Sequence, residues 1–214
     1  MEKLQYEDLP LKVYKALKEM ILRGELKSGQ KLQQENLAEQ LGVSRTPLLT
    51  AFSKLEREML IEILPRKGAY VRHFTKKELL DIYDIRVRME PLGARKAAEH
   101  ASKKQIEELR SRLEEFRAAS DKDDIGHITE ADYRIHMEIM QISGNQFLYQ
   151  MASSFNIIVI ANLEGFPKDY HVSIEEHEQL FHAIKDGDGD AAEIFMQNHL
   201  SSSREIIAAS FEEE

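Results

Sequence analysis

Four residues in the second half of the chain have the chemistry to hold a metal ion: Asp132, His136, His177 and His199. Asp132-x-x-x-His136 sets a carboxylate and an imidazole one helical turn apart, on one face. His177 and His199 fall in two further helix-like segments. Three imidazoles and a carboxylate suit a zinc-like divalent ion, with room beside it for water or a ligand carboxylate. The plainer reading is a set of unmetallated polar groups in a core or pocket, which are costly to bury without partners. The other histidines lack such spacing. His182 lies five residues past His177, roughly 140° around a helix, and faces elsewhere. His73, His100, His127 and His171 read as surface or capping residues.

A different chemistry opens the chain. Ser44-Arg45-Thr46 follows Gly42 and starts a helix with Pro47 in its first turn, the second helix of a helix-turn-helix. In such modules the N-terminal end of that helix faces base edges in the major groove. Arg45 is the candidate for a guanine O6/N7 contact. Ser44 and Thr46 are placed to donate to phosphates through hydroxyls and helix-terminal amides. Arg66 and Lys67, at a basic turn, are candidates for minor-groove or phosphate contact, with Lys54 and Arg57 as weaker backbone contacts. Each isolated cation also reads as solvated surface.

The elements that must position these groups are mainly α. Residues 10–24 carry Val13, Leu17, Met20 and Ile21 at helical spacing and stop at Gly24. Residues 34–41 predict a short helix, and Leu48, Ala51, Phe52 and Leu55 a longer one. Residues 60–64 and 69–73 flank Pro65-Arg66-Lys67-Gly68 as a two-stranded hairpin, or wing. From Thr75-x-x-Glu78, a capping box, the pattern is helical throughout. Its first stripe is Leu79, Ile82, Tyr83, Ile85, Met89, Leu92 and Ala97. Further helices are predicted at about 103–119, 122–142, 146–162, 170–186 and 189–210, with breaks that include Gly144-Asn145 and Gly165 to Pro167. Short connections between six helices imply an antiparallel bundle. The expected domains are 1–75, a winged helix-turn-helix, and 76–214, an all-helical domain that carries Asp132, His136, His177 and His199. Asn145 reads as a helix cap, and Met137, Met140 and Met151 as core filler.

Charge follows the same division. Residues 1–74 hold 13 Lys/Arg and 10 Asp/Glu, a net of +3, whereas the remaining residues hold 16 and 28, a net of −12. A domain that meets phosphates, joined to one that does not, has this asymmetry. The absence of cysteine excludes thiolate ligands, disulfides and thiol nucleophiles, and fits a cytoplasmic protein. No apolar run approaches the roughly 18 residues of a membrane span. The opening residues carry no cationic stretch feeding a hydrophobic segment, so no secretion signal is expected.

Residues 10–73 resemble the winged helix-turn-helix of GntR-family transcriptional regulators. Leu37-Ala38-x-x-Leu41-Gly42-Val43-Ser44-Arg45-Thr46-Pro47 carries the resemblance, with the wing Leu64-Pro65-Arg66-Lys67-Gly68-Ala69-Tyr70-Val71. It implies a homodimer on a palindromic, double-stranded operator. Two departures stand out. Leu49 occupies a position where the family commonly has a base-reading arginine. Glu35 stands where an arginine is often found near the start of the preceding helix. Losing two cationic contacts weakens binding and shallows its salt dependence by roughly one unit of log–log slope for each phosphate contact.

Residues 76–212 resemble the FCD ligand-sensing domain of one GntR subfamily. The matching stretches are Asp84-Ile85-Arg86-x-x-x-Glu90, Asp132-Tyr133-Arg134-Ile135-His136, Ser143-Gly144-Asn145, Glu176-His177 through Gly187-Asp188, and His199-Leu200. The resemblance implies a divalent ion, zinc or nickel, on Asp132, His136, His177 and His199, and a small carboxylate effector met by Arg86. Arg86 reads equally as a structural ion pair with Glu90, four residues on. The function implied is a ligand-responsive transcriptional regulator. The rivals are a metal-dependent hydrolase, with Glu138 or Glu176 as base, and a metal sensor. No HExxH supports the hydrolase, and the first seventy residues would need another purpose.

Overall fold

The computed structural model describes residues 9–122, 125–161 and 170–209. The expected Gly165 to Pro167 break lies outside the described residues, as does the His171 side chain. The chain divides into two compact units, Met1–His73 and Phe74–Glu214.

The first unit contains α1 (Leu9–Leu22), β1 (Lys31–Leu32), α2 (Gln34–Gln40), α3 (Arg45–Arg57), β2 (Ile61–Leu64) and β3 (Gly68–Val71). Helices α1 and α3 pack together, and Leu17 and Ile21 of the one and Leu48, Phe52 and Leu55 of the other are all fully buried in the core. Each contributes about 1.5–3 kcal/mol relative to exposure. Gly42 supplies the tight turn between α2 and α3 at φ 65, a conformation that costs a side-chain-bearing residue. Ser44 sits at the N-cap of α3 with extended backbone, yet its hydroxyl makes no capping hydrogen bond.

The wing differs from a two-stranded hairpin. β1 pairs with β3, and β3 with β2, all antiparallel, in the order β1-β3-β2. A two-residue strand has no periodicity to read, and only its pairing through Lys31↔Tyr70 and Leu32↔Ala69 reveals it. At the tip, the Lys67 amide donates to the Leu64 carbonyl at 3.0 Å. Pro65 occupies the second position of that turn, and Arg66 the third, at φ 64. Glycine is the residue that this left-handed position favours.

The second unit has six helices among the described residues: α4 (Lys76–His100), α5 (Lys103–Ser120), α6 (Ile125–Ile142), α7 (Gln146–Ala161), α8 (Tyr170–Asp186) and α9 (Gly189–Ala209). They form a helical bundle. Capping boxes start α4, between Thr75 and Glu78, and α5, between Ser102 and Gln105. Asn145 Oδ1 accepts from the Phe147 amide at 3.1 Å, opening α7 as a cap. Phe116, Leu79, Leu109, Ile128, Ile139 and Met140 fill the core.

Three expected core residues lie outside it. Ile85 and Leu92 are exposed, because the buried stripe of α4 runs through Ile82, Arg86, Met89, Glu90, Gly93 and Ala97 instead. Ile85 and Leu92 are seven residues apart and share one flank of that stripe. Met151 is also exposed, one turn from exposed Phe147 on α7, whereas Met137 and Met140 are buried as expected. A Cβ at Gly93 would run into Sδ and Cε of Met140, so glycine there lets α4 approach α6 closely. Two residues earlier, buried Pro91 lies inside α4 and removes one ladder donor. Arg95 pairs with Asp190 and Glu193 and so ties α4 to α9.

Candidate functional site

Asp132 and His136 on α6, His177 on α8 and His199 on α9 converge, each offering one ligand atom within 4.8 Å of all the others. The three imidazoles are nearly inaccessible, at 1–2% exposure, and Asp132 is half-buried. His136 Nε2 and His177 Nε2 are 3.4 Å apart, and His177 Nε2 lies 3.8 Å from Asp132 Oδ1. Two ligands at about 2.1 Å from a tetrahedral ion are roughly 3.4 Å apart. Phe116 of α5 meets the His177 ring edge-on, with centroids 5.4 Å apart, and gives the cluster an apolar wall.

Two carboxylates outside the cluster orient its rings. His136 Nδ1 lies 2.7 Å from Glu90 Oε2, and His199 Nδ1 lies 2.7 Å from Glu176 Oε2. A carboxylate accepts only, so each imidazole donates from Nδ1 and keeps the Nε2 lone pair for the cluster. That arrangement has the donor chemistry to chelate a divalent ion. Glu90 was legible as a partner for Arg86, but its hold on His136 was not, because 46 residues separate the two. Glu176, one of the two candidate bases under the rival hydrolase reading, lies against His199. Glu138 has Oε2 3.8 Å from Arg112 Nε, and burial pushes its carboxyl up.

Arg86 is 4% exposed. Its Nε donates to Glu90 Oε1, and Nη2 donates to Asn156 Oδ1, both at 2.6 Å. Asn156 Nδ2 returns a hydrogen bond to Glu90 Oε1 at 3.0 Å. Nothing in the sequence singled out Asn156, since it lies far along the chain on α7. Burial opposes the Arg86 charge, but Glu90, with Tyr83 and Asp132 adding, raises its pKa overall. Burial likewise pushes Glu90 up; Arg86 and His136 outweigh it and hold the carboxyl at about 2. Glu90 therefore joins the arginine to the histidine cluster through its two oxygens. The structural ion pair anticipated for Arg86 is present, and Asp132 lies within its field.

In the first unit, Ser44, Arg45, Thr46, Arg66 and Lys67 are all exposed. Arg45 Nη2 donates to Glu35 Oε1 at 2.9 Å, so the two residues of opposite charge meet across the turn. Lys54 differs: its ammonium lies 4.0 Å from the Tyr14 ring centroid, beside Lys18 and Glu58. That contact accounts for Lys54 within the fold. Arg57 Nε donates to the Ser53 carbonyl of its own helix. Of the remaining histidines, His182 is exposed, His100 Nδ1 meets the Lys96 carbonyl at 2.8 Å, and His73 Nδ1 meets Ser28 Oγ at 3.0 Å.

Comparison with known proteins accounts for both units. The family model of bacterial regulatory proteins, gntR family, matches residues 9–71, and the FCD domain model matches residues 81–202. The chain belongs to the GntR family, with an FCD domain. It is 27% identical to the HTH-type transcriptional repressor RspR of Escherichia coli over 200 residues, covering 91% of this chain and 87% of that one. It is 26% identical to the HTH-type transcriptional regulator LutR of Bacillus subtilis, covering 91% and 99%. The solved structure of E. coli McbR/YncC superposes with a TM-score of 0.85 at 25% identity, covering 95% of this chain and 98% of that chain. This GntR/FCD protein is accordingly a ligand-responsive, DNA-binding transcriptional regulator and not an enzyme. Among the described residues, no helix is long and apolar enough to cross a membrane.

Proposed function

We propose that this regulator holds a divalent metal, zinc or nickel, on Asp132, His136, His177 and His199, and senses a small carboxylic acid beside it. The observation that carries this reading is the convergence of four ligand atoms on one point, with two rings oriented by glutamates. Imidazole-rich sets favour zinc or nickel over magnesium. Bound metal would supply a Lewis-acidic centre with coordination positions to spare. Arg86 supplies the cationic complement: two of its nitrogens hold Glu90 and Asn156, and Nη1 has no hydrogen-bond partner among the described residues. A guanidinium already fixed in this way loses little freedom when it takes up a carboxylate.

The protein acts as a homodimer on a palindromic operator, each α3 entering a major groove and each wing lying alongside. Arg45 contacts guanine, with Ser44 and Thr46 on phosphate and Arg66 and Lys67 reaching from the wing tip. Acid bound in the FCD domain changes operator affinity by favouring one of two states of the dimer. Reciprocity then requires operator DNA to change the acid's affinity by the same factor. Calorimetric titration of mono- and dicarboxylates, with and without operator, tests this. An acid whose affinity is the same in both conditions is not an effector. Turnover of the acid would favour the hydrolase reading, and a response to metal alone the sensor reading.

For the DNA contact, Arg45→Ala is expected to lower operator affinity roughly 5- to 150-fold, the weight of about 1–3 kcal/mol for a lost bidentate base contact. Arg45 is exposed, so fold and metal content should be unchanged. Binding titrations at fixed salt decide it, and an unaltered affinity would remove α3 from the interface.

A further inference from the structure

The outward face of α3 is unusual in what it offers a groove. Arg45, Leu49 and Ser53 stand one turn apart along it, flanked by Thr46 and Thr50, and all five are exposed. Arg45 is the only cation in the first two turns, and its charge is met by Glu35 at 2.9 Å. The Thr50 hydroxyl donates to the Thr46 carbonyl and the Ser53 hydroxyl to the Leu49 carbonyl, both at 3.1 Å. Both hydroxyls are thereby occupied as donors. Leu49 is left as the large projecting group, 44% exposed.

We propose that Leu49 is a specificity-determining residue that reads the 5-methyl group of a thymine in the operator half-site. This rests on the reading of α3 as the groove-entering helix and goes beyond it. Major-groove edges present hydrogen-bonding groups at every base pair, and the thymine methyl is their one apolar feature. A leucine pressed against donors or acceptors strips their water and returns no hydrogen bond. Against a methyl it buries apolar surface on both sides. Leu49 follows Arg45 by four residues, about 6 Å along the helix axis. With base pairs about 3.4 Å apart, the thymine falls one to two steps from the guanine that Arg45 contacts. Glu35 reinforces this mode of recognition. A carboxylate 2.9 Å from the Arg45 guanidinium lowers the net positive charge that this face offers to phosphate. Discrimination on this face then comes from shape and base edges.

The test begins by selecting binders of the full-length protein from a random duplex library. Each thymine of the selected half-site is then replaced by uracil, which removes only the methyl. One thymine, within two base pairs of the essential guanine, should be sensitive: uracil there weakens wild-type binding roughly three- to tenfold, on the scale of one buried methyl-sized group per half-site. Leu49→Ala should bind the thymine and uracil duplexes equally while keeping its melting temperature, since Leu49 lies outside the core. Tolerance of uracil at every position, or an equal penalty in Leu49→Ala, overturns the proposal. If Arg45→Ala fails to change the selected sequence, α3 is not the reading helix, and the proposal falls with that assignment.

Discussion

Glu90→Ala is expected to destabilise the FCD domain by about 3–5 kcal/mol, the cost of leaving a buried charge without its partner. Glu90 is fully buried, and so is the Arg86 guanidinium that it holds at 2.6 Å. The same carboxylate accepts from Asn156 and from His136. Removing it strips three buried donors of their acceptor. Chemical denaturation of the metal-free protein measures the loss through the shift in midpoint. Replacing Arg86 and Glu90 together by leucine should recover part of the loss, because the unpaired charge disappears as well. With Arg86→Leu and Glu90→Leu measured singly as well, the double-mutant cycle closes and isolates the pair. A loss below about 1 kcal/mol in Glu90→Ala would mean that Arg86 reaches solvent or another acceptor.

His177→Ala should lower zinc or nickel affinity by more than the roughly 10–100-fold typical of residues that only orient a ligand. Glu176→Gln, which acts through His199, should fall within that range. The separation between the two variants is the informative quantity. Direct ligands and orienting groups differ in the number of metal bonds lost, and calorimetric titration resolves them. Thermal melts give a second readout. Saturating metal should stabilise the wild type by roughly 4 kcal/mol at a thousandfold excess over Kd, and should leave His177→Ala almost unmoved. Equal metal affinity in wild type and His177→Ala would dismiss the shared site.

Much of this was legible in the chain. Helix signals worked wherever a cap coincided with a period, as at Thr75-x-x-Glu78, Asn145 and the Gly42 turn. The four-residue cluster was also legible. Histidine and aspartate at helical spacing are recognisable by type, and the resemblance joined positions that spacing alone could not. What spacing could not assign was which side of a long helix faces inward. Ile85 and Leu92 have the composition of core residues. The buried side of α4 goes instead to Arg86 and Glu90, whose cost is met by partners on α6 and α7.

By itself, the sequence determined the helices, the two longer strands, the family and the four residues that converge in the second unit. Those properties are carried by local signals: a capping box, a glycine with positive φ, a motif across the helix-turn-helix. The tertiary structure alone decided the pairings. Glu35 meets Arg45, β1 joins β3, Glu176 fixes His199, and Asn156 reaches across to Arg86 and Glu90. A hydrogen bond depends on angle and separation to within tenths of an ångström. Residues 10 to 70 positions apart acquire that precision only once the helices have packed.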